Sequence, residues 1–302
     1  MDNIYRGDML SKMILGTVQL GIPYGINNVN GKPTYEQAME ILDYAYQHGV
    51  DCLDTASAYG DSENIIGDYI RKNNRQFKVC TKFPADIRSK EMVGYCEQKI
   101  EDFGINEIYV YYLHRFEQCK DKEIMSELCR LKELGKILKI GVSIYEPQEL
   151  VYITNCLSDV IDVVQIPFNL LDNGRWLSAG ILENAVKNRI EIYSRSVYLQ
   201  GLLLAAKTSD KVIDMGVQRV LGKLSDIAEQ RSMHMDELAV AYVNSIGEIS
   251  NILVGCETIN QLIRNVQIFE NDYHLTKKIK KTISTLVADV GIDVVDPRKW
   301  IR

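Results

Sequence analysis

Four residues in the N-terminal half of the chain could carry acid–base chemistry together: Asp54, Tyr59, Lys82 and His114. A phenol, with a pKa of about 10, is ordinarily too weak an acid to serve at neutral pH. A neighbouring ammonium favours the phenolate and makes the proton easier to give up. Lys82 can supply that ammonium, Asp54 can hold it charged and in place, and His114 can orient a substrate oxygen. The set suits protonation of a carbonyl oxygen while hydride arrives at carbon. It does not suit metal-assisted hydrolysis, because one His without further ligands is not a metal site. Ser57 and Ser62 lie close by, but no G-x-S-x-G elbow marks either as a nucleophile.

Each residue also has a bland reading. An Asp at a strand end is often a turn residue, a lone His is often structural, and a lone Lys is usually solvated. Recurrence argues otherwise. Asp54, Lys82, His114 and Ser143 close four of the first five β-rich segments.

Eight such segments recur: 13–20, 50–54, 77–82, 108–114, 139–143, 162–166, 190–194 and 251–254. Helical patterns lie between them. Residues 34–48 carry Ala38, Ile41, Leu42 and Ala45 on one face, with Thr34 placed as N-cap and Gly49 as C-cap. Residues 121–134 start on Asp121 and stop at Gly135, and Pro147 opens another helix in its first turn. The last gap is longer, and residues 210–231 supply an additional helix before a regular one at 235–246. Alternation of this kind predicts an α/β fold with a parallel sheet, closed as a (β/α)8 barrel and forming one domain over 1–302. An open sheet of parallel strands is the alternative. In a barrel the C-terminal strand ends carry the chemistry. Strand parity then places Cys52 with Asp54, Cys80 with Lys82, and Tyr112 with His114, the first of each pair filling the barrel.

Composition narrows the partners. A net charge of −6 argues against a nucleic-acid or anionic-membrane surface. No apolar run approaches the ~20 residues that span a bilayer. The opening MDNIYRGDMLSK lacks the apolar stretch of a signal peptide, and seven cysteines without a C-x-x-C pair read as reduced thiols. A cytoplasmic protein is expected. The loop at 21–32 is long enough to shape a binding mouth, and Asn27, Asn28 and Asn30 are compatible with a sugar-like or polyol substrate. The basic tail helix (Lys277, Lys278, Lys280, Lys281) reads as a solvated face, with Trp300 packing the tail.

Over nearly its whole length the sequence resembles the aldo-keto reductase family. The stretches that carry the resemblance are LGTVQLG (15–21), DTASAYGDSENIIG (54–67), CTKF (80–83), YLHR (112–115), GVS (141–143), VQIPFN (164–169), RSVYLQGLL (195–203) and VGCETINQLIRN (254–265). The loop PYGINNVNGKP (23–33) resembles that of bacterial members. The resemblance implies a (β/α)8 barrel reducing a small carbonyl substrate with NADP(H) or NAD(H) bound without a Rossmann unit. It assigns Tyr59 as general acid, Lys82 and Asp54 as its tuners, and His114 as substrate orienter. For the cofactor it implies Gly16 and Thr17 beside the site, Ser143 and Gln165 on the nicotinamide carboxamide, and Ser196, Tyr198 and Gln200 in the diphosphate-side loop. Gly255, Glu257, Gln261, Arg264 and Asn265 fall at the adenosine end, and Asn169 in a structural or cofactor-side position.

Three departures stand out. The family's Ser-Asn after the fifth strand is Ser143-Ile144 here. Arg195 replaces an aromatic that stacks on the nicotinamide; a shift by two residues would restore Tyr193, against the fixed Gly201. At the adenosine end Arg264 is the one basic residue, and Glu257 would repel a 2′-phosphate while accepting from a ribose diol. NAD(H) is therefore expected to be accepted, the alternative being that Arg264 binds the phosphate. Two other readings of the same residues remain: a Schiff-base aldolase using Lys82, and a non-catalytic regulatory protein that keeps the cofactor site.

Overall fold

A computed structural model describes residue 10 and residues 12–206, 209–271 and 273–300. Most of the opening stretch MDNIYRGDMLSK, on which the expectation of no signal peptide rests, lies outside the described residues.

Eight parallel strands close into a barrel in sequence order: β1 (Met13–Gly16), β2 (Cys52–Asp54), β3 (Lys78–Lys82), β4 (Ile108–Leu113), β5 (Ile137–Ser143), β6 (Val163–Pro167), β7 (Glu191–Arg195) and β8 (Ile249–Gly255). The ring is sealed by β1 against β8, where Gly16 pairs with Gly255. An open sheet is thus ruled out. Among the described residues, the helices that alternate with the strands are α1 (Tyr35–Gln47), α2 (Ser62–Asn73), α3 (Met92–Phe103), α4 (Lys122–Glu133), α5 (Pro147–Cys156), α6 (Ile181–Lys187), α7 (Met235–Asn244) and α8 (Ile259–Glu270). Among the described residues no helix is long and apolar enough to cross a membrane.

Local chemistry accounts for the helix ends. Thr34 accepts from Gln37 N while the Gln37 side chain accepts from Thr34 N, a reciprocal cap that starts α1. Asp121 accepts from the N–H groups of Glu123 and Ile124 and starts α4. The face of α1 carrying Ala38, Ile41, Leu42 and Ala45 is fully buried, and each such Ile or Leu contributes about 1.5–3 kcal/mol.

Two elements differ from expectation. The apolar pattern after Gly16 suggested a strand to residue 20, but the chain leaves β1 at Thr17, whose hydroxyl donates to Asp54 O (2.9 Å), and turns into a short helix, Val18–Gly21. The additional helix at 210–231 is two, Asp210–Asp214 and Gln218–Glu229. Gly216 separates them at φ +65°, a conformation no helix interior holds.

Inside the barrel, Ile14, Cys52, Cys80, Val110, Tyr112, Val163, Tyr193 and Leu253 make one buried cluster. Cys52, Cys80 and Tyr112 thus fill the layer beneath the polar strand ends. At the opposite end, Lys139 donates to Tyr109 Oη (3.1 Å) and to Glu191 (2.7 and 2.9 Å). The packed floor leaves the C-terminal rim as the open face.

Candidate active site

Asp54 ends β2 and Lys82 ends β3, and both side chains are buried. Lys82 Nζ donates to Asp54 Oδ1 (2.6 Å) and to Thr55 O (2.8 Å). Gln165, from β6, donates through Nε2 to the other carboxylate oxygen (2.8 Å). Burial alone would lower the Lys82 pKa. The Asp54 carboxylate and the Tyr59 phenol outweigh that cost and hold Lys82 above the ordinary lysine range. A lysine so held is a poor imine-forming nucleophile, which requires a neutral amine.

Tyr59 sits in the loop after β2, half-buried, its ring centre 5.1 Å from Lys82 Nζ. The loop is pinned by Tyr59 N donating to Ala56 O (3.0 Å) and Ser62 N donating to Tyr59 O (3.1 Å). Gly21 packs against this backbone so closely that any Cβ there would collide with the Tyr59 carbonyl. The loop after β1 therefore sets the height of the phenol over the rim.

His114 follows β4 and lines the same cleft. Burial pushes its pKa below the ordinary 6.5, and Lys82, Arg115 and Arg195 push it further, against a weaker opposing effect of Asp54. The imidazole is therefore neutral at physiological pH. The unfolded chain binds this proton below pH 6.5 more readily than the folded one, so this contribution to stability is present above 6.5 and is lost as pH falls below it. If the neutral ring is the working form, kcat/KM for carbonyl reduction should stay level from neutral pH down through 6.5 and decline only below it. A decline centred above 6.5 would contradict that state.

All four residues open onto one cleft of about 500 Å³, within the range of small-molecule sites. It also takes in Gly16, Thr17, Ser143, Gln165, Arg195, Ser196, Tyr198, Gln200, Gly255, Glu257, Gln261, Arg264 and Asn265, and it runs from the β2–β4 ends across the rim to the start of α8. Tyr193 is buried inside the barrel and Arg195 is in the cleft, which removes the shifted alignment. Asn169 is not in the cleft; its Oδ1 accepts from Leu171 N (2.9 Å) and Asp172 N (3.1 Å), a turn-forming role. Trp300 is also outside the cleft, with its indole N–H donating to Val294 O (3.0 Å). The loop at 21–32 crosses the β7 loop, where Ile26 N donates to Gln200 O (2.9 Å) and Asn27 Nδ2 to Gly201 O (2.7 Å).

Sequence reasoning missed Gln19, Tyr24, Tyr145 and Asp236, all of which line the cleft. Asp236 matters most. It and Glu237 clamp Arg264, with Arg264 Nε 2.8 Å from Asp236 Oδ2 and Nη2 2.8 Å from Glu237 Oε1. Gln261 donates to Glu257 Oε1 (2.9 Å) at the same end.

The comparisons agree with this architecture. The family model described as "Aldo/keto reductase family" matches residues 12–287. The chain is 23% identical to an L-glyceraldehyde 3-phosphate reductase of Escherichia coli (strain K12), covering 94% of this chain and 92% of that protein. It is 24% identical to a putative aryl-alcohol dehydrogenase of Saccharomyces cerevisiae, over 98% of this chain and 87% of that one. A chloroplastic pyridoxal reductase of Arabidopsis thaliana is 25% identical over 68% of this chain and 65% of its own length. With a family match running from the first strand almost to the tail, on a closed barrel whose rim gathers one long cleft, the chain belongs to the aldo/keto reductase family.

Proposed function

We propose that the protein reduces an aldehyde or ketone to an alcohol with a nicotinamide cofactor, Tyr59 acting as general acid. The observation that carries this reading is the buried Lys82–Asp54 pair beneath the Tyr59 ring, with a neutral His114 on the same cleft. One feature of the cleft fits the cofactor. Gln165 Oε1 is buried without a hydrogen-bond partner, while its Nε2 is committed to Asp54. An orphaned acceptor on the cleft wall suits an amide N–H such as that of a nicotinamide carboxamide, with Ser143 paired to Gln165 across the sheet as its neighbour. When bound, the cofactor supplies the hydride.

The protein's own residues supply the proton and the field. Tyr59 donates its hydroxyl proton to the carbonyl oxygen as negative charge develops there. The Lys82 ammonium faces the phenolate left behind, and Asp54 keeps that ammonium charged inside the barrel. Neutral His114 donates a ring N–H to the same oxygen and holds the carbonyl in line. The family-typical substrate is a small carbonyl compound; residues 23–33 support a bacterial affiliation, and the free cysteines suit a cytoplasmic setting. Loss of reduced-nicotinamide absorbance on adding members of an aldehyde panel is the expected result. No aldehyde-dependent loss with either NADH or NADPH would refute the reading.

We further read the adenosine end as favouring NADH. Arg264 is spent on Asp236 and Glu237, and Glu257 and Asp236 both face the cleft. Among the described residues lining this end, a 2′-phosphate would enter beside carboxylates with the one cation, Arg264, already paired, whereas a ribose diol can donate to Glu257. The dissociation constant for NADH, by fluorescence titration, should be at least ~10-fold below that for NADPH. An NADPH advantage would show that Arg264 leaves its carboxylates for the phosphate.

A further inference from the structure

The two ends of the cleft differ in charge, and at the end near His114 the cation Arg195 stands where the resemblance places an aromatic against the nicotinamide. Arg195 closes β7 and is half-buried. Its guanidinium reaches past β6 to the loop after β5, where Nη2 donates to Ile144 O (3.1 Å) and the guanidinium carbon lies over the Tyr145 ring, 4.2 Å from its centre. Its remaining interaction is a marginal one with Ser196 Oγ (3.5 Å). Among the described residues Arg195 makes no ion pair with a carboxylate, and Glu146, next to Tyr145, pairs with Arg175 and Arg298 instead. Arg298 stacks on Tyr145 as well, at 3.5 Å, but Asp296 neutralises it at 2.6 Å. Lys82 is likewise neutralised by Asp54.

In a chain of net charge −6, a half-buried cation without an acid partner is an exception. Desolvating a charge costs free energy that an ion pair normally offsets. Among the described residues no carboxylate offsets it, and the Ile144 carbonyl and the Tyr145 ring do so only in part. The Ile144 carbonyl and the Tyr145 ring hold the guanidinium in place, which leaves its remaining N–H donors for a planar or tetrahedral anion. The same charge bears on His114, the residue assigned to the substrate oxygen.

We infer that the substrate is an anionic carbonyl compound, whose carboxylate or phosphate is bound by the guanidinium of Arg195 on the cleft wall opposite the acidic adenosine end. This names a substrate class for the reaction proposed above, and its kinetic test rests on that reading; its binding test does not.

The kinetic test compares kcat/KM for succinic semialdehyde and glyceraldehyde 3-phosphate with their neutral counterparts butanal and glyceraldehyde, at saturating NADH. The wild type should prefer the anion of at least one pair by roughly 10- to 100-fold, the worth of a charge-assisted hydrogen bond. R195Q should collapse that ratio, and R195K should restore part of it; the pair that responds identifies the anion as carboxylate or phosphate. No preference in the wild type, or a ratio that R195Q leaves intact because both rates fall together, would overturn the inference and assign Arg195 to the cofactor. The binding test is calorimetric titration of 4-hydroxybutanoate and glycerol 3-phosphate into wild type and R195Q. Saturable heat lost in R195Q supports the anion site even if no aldehyde is turned over. Equal heats, or none in either protein, would overturn it.

Discussion

Replacing Tyr59 with Phe should cut kcat for carbonyl reduction by ~10²–10⁴-fold, the usual contribution of a positioned general acid. The substitution removes one oxygen and leaves the ring over Lys82, so the cation–π contact at 5.1 Å survives. The loop that carries the ring is held by main-chain hydrogen bonds and by the close approach of Gly21, neither of which involves the hydroxyl. Stability and NADH affinity should therefore stay close to wild type, and the loss should appear in kcat. Steady-state kinetics beside a fluorescence titration of NADH separates the two. An active Y59F enzyme would mean that another group, or water, gives the proton.

Lys82→Met should have the second large effect, on stability and activity together. It leaves the Asp54 carboxylate buried with only the hydrogen bond from Gln165 Nε2. Breaking a buried pair by removing one partner costs ~3–5 kcal/mol, because the remaining charge is uncompensated. The thermal midpoint should fall by several degrees and reduction should be abolished. Adding Asp54→Asn relieves the orphaned charge, so D54N/K82M should regain much of the lost stability and none of the activity. Calorimetry of the two variants with an activity assay tests this. A K82M protein as stable as wild type would show that the pair is solvated rather than sealed.

These two side chains were legible from sequence because strand ends are marked locally. Asp54 and Lys82 each follow a short apolar run with period-two parity, and Cys52 and Cys80 beneath them fall where that parity puts them. The helices were legible for a similar reason, since the caps Thr34 and Asp121 act on N–H groups two or three residues away. What escaped notice depends on contacts between distant segments. The strand at residue 13 stops at Gly16 because Thr17 finds the carbonyl of Asp54, 37 residues on, and no pattern in 13–20 announces that. Asp236 sits in the first turn of α7 among ordinary helix-start residues, and it becomes part of the cleft only when α8 brings Arg264 alongside. Tyr145 is one aromatic after a strand, and its part becomes visible once Arg195 and Arg298 are seen stacked on it. The departure at position 195 was readable as a substitution, but that the guanidinium has no acid partner among the described residues was not.

The central claim is that Tyr59 protonates a carbonyl as hydride reaches its carbon in this cleft. Reduced nicotinamide deuterated at the transferred C4 position, incubated with wild-type protein and an aldehyde it turns over, tests the claim most directly by mass spectrometry of the product. The account predicts an alcohol bearing one carbon-bound deuterium per turnover from the wild type, and almost none from Y59F in the same time. Alcohol without deuterium, or equal labelled product from both proteins, would contradict it.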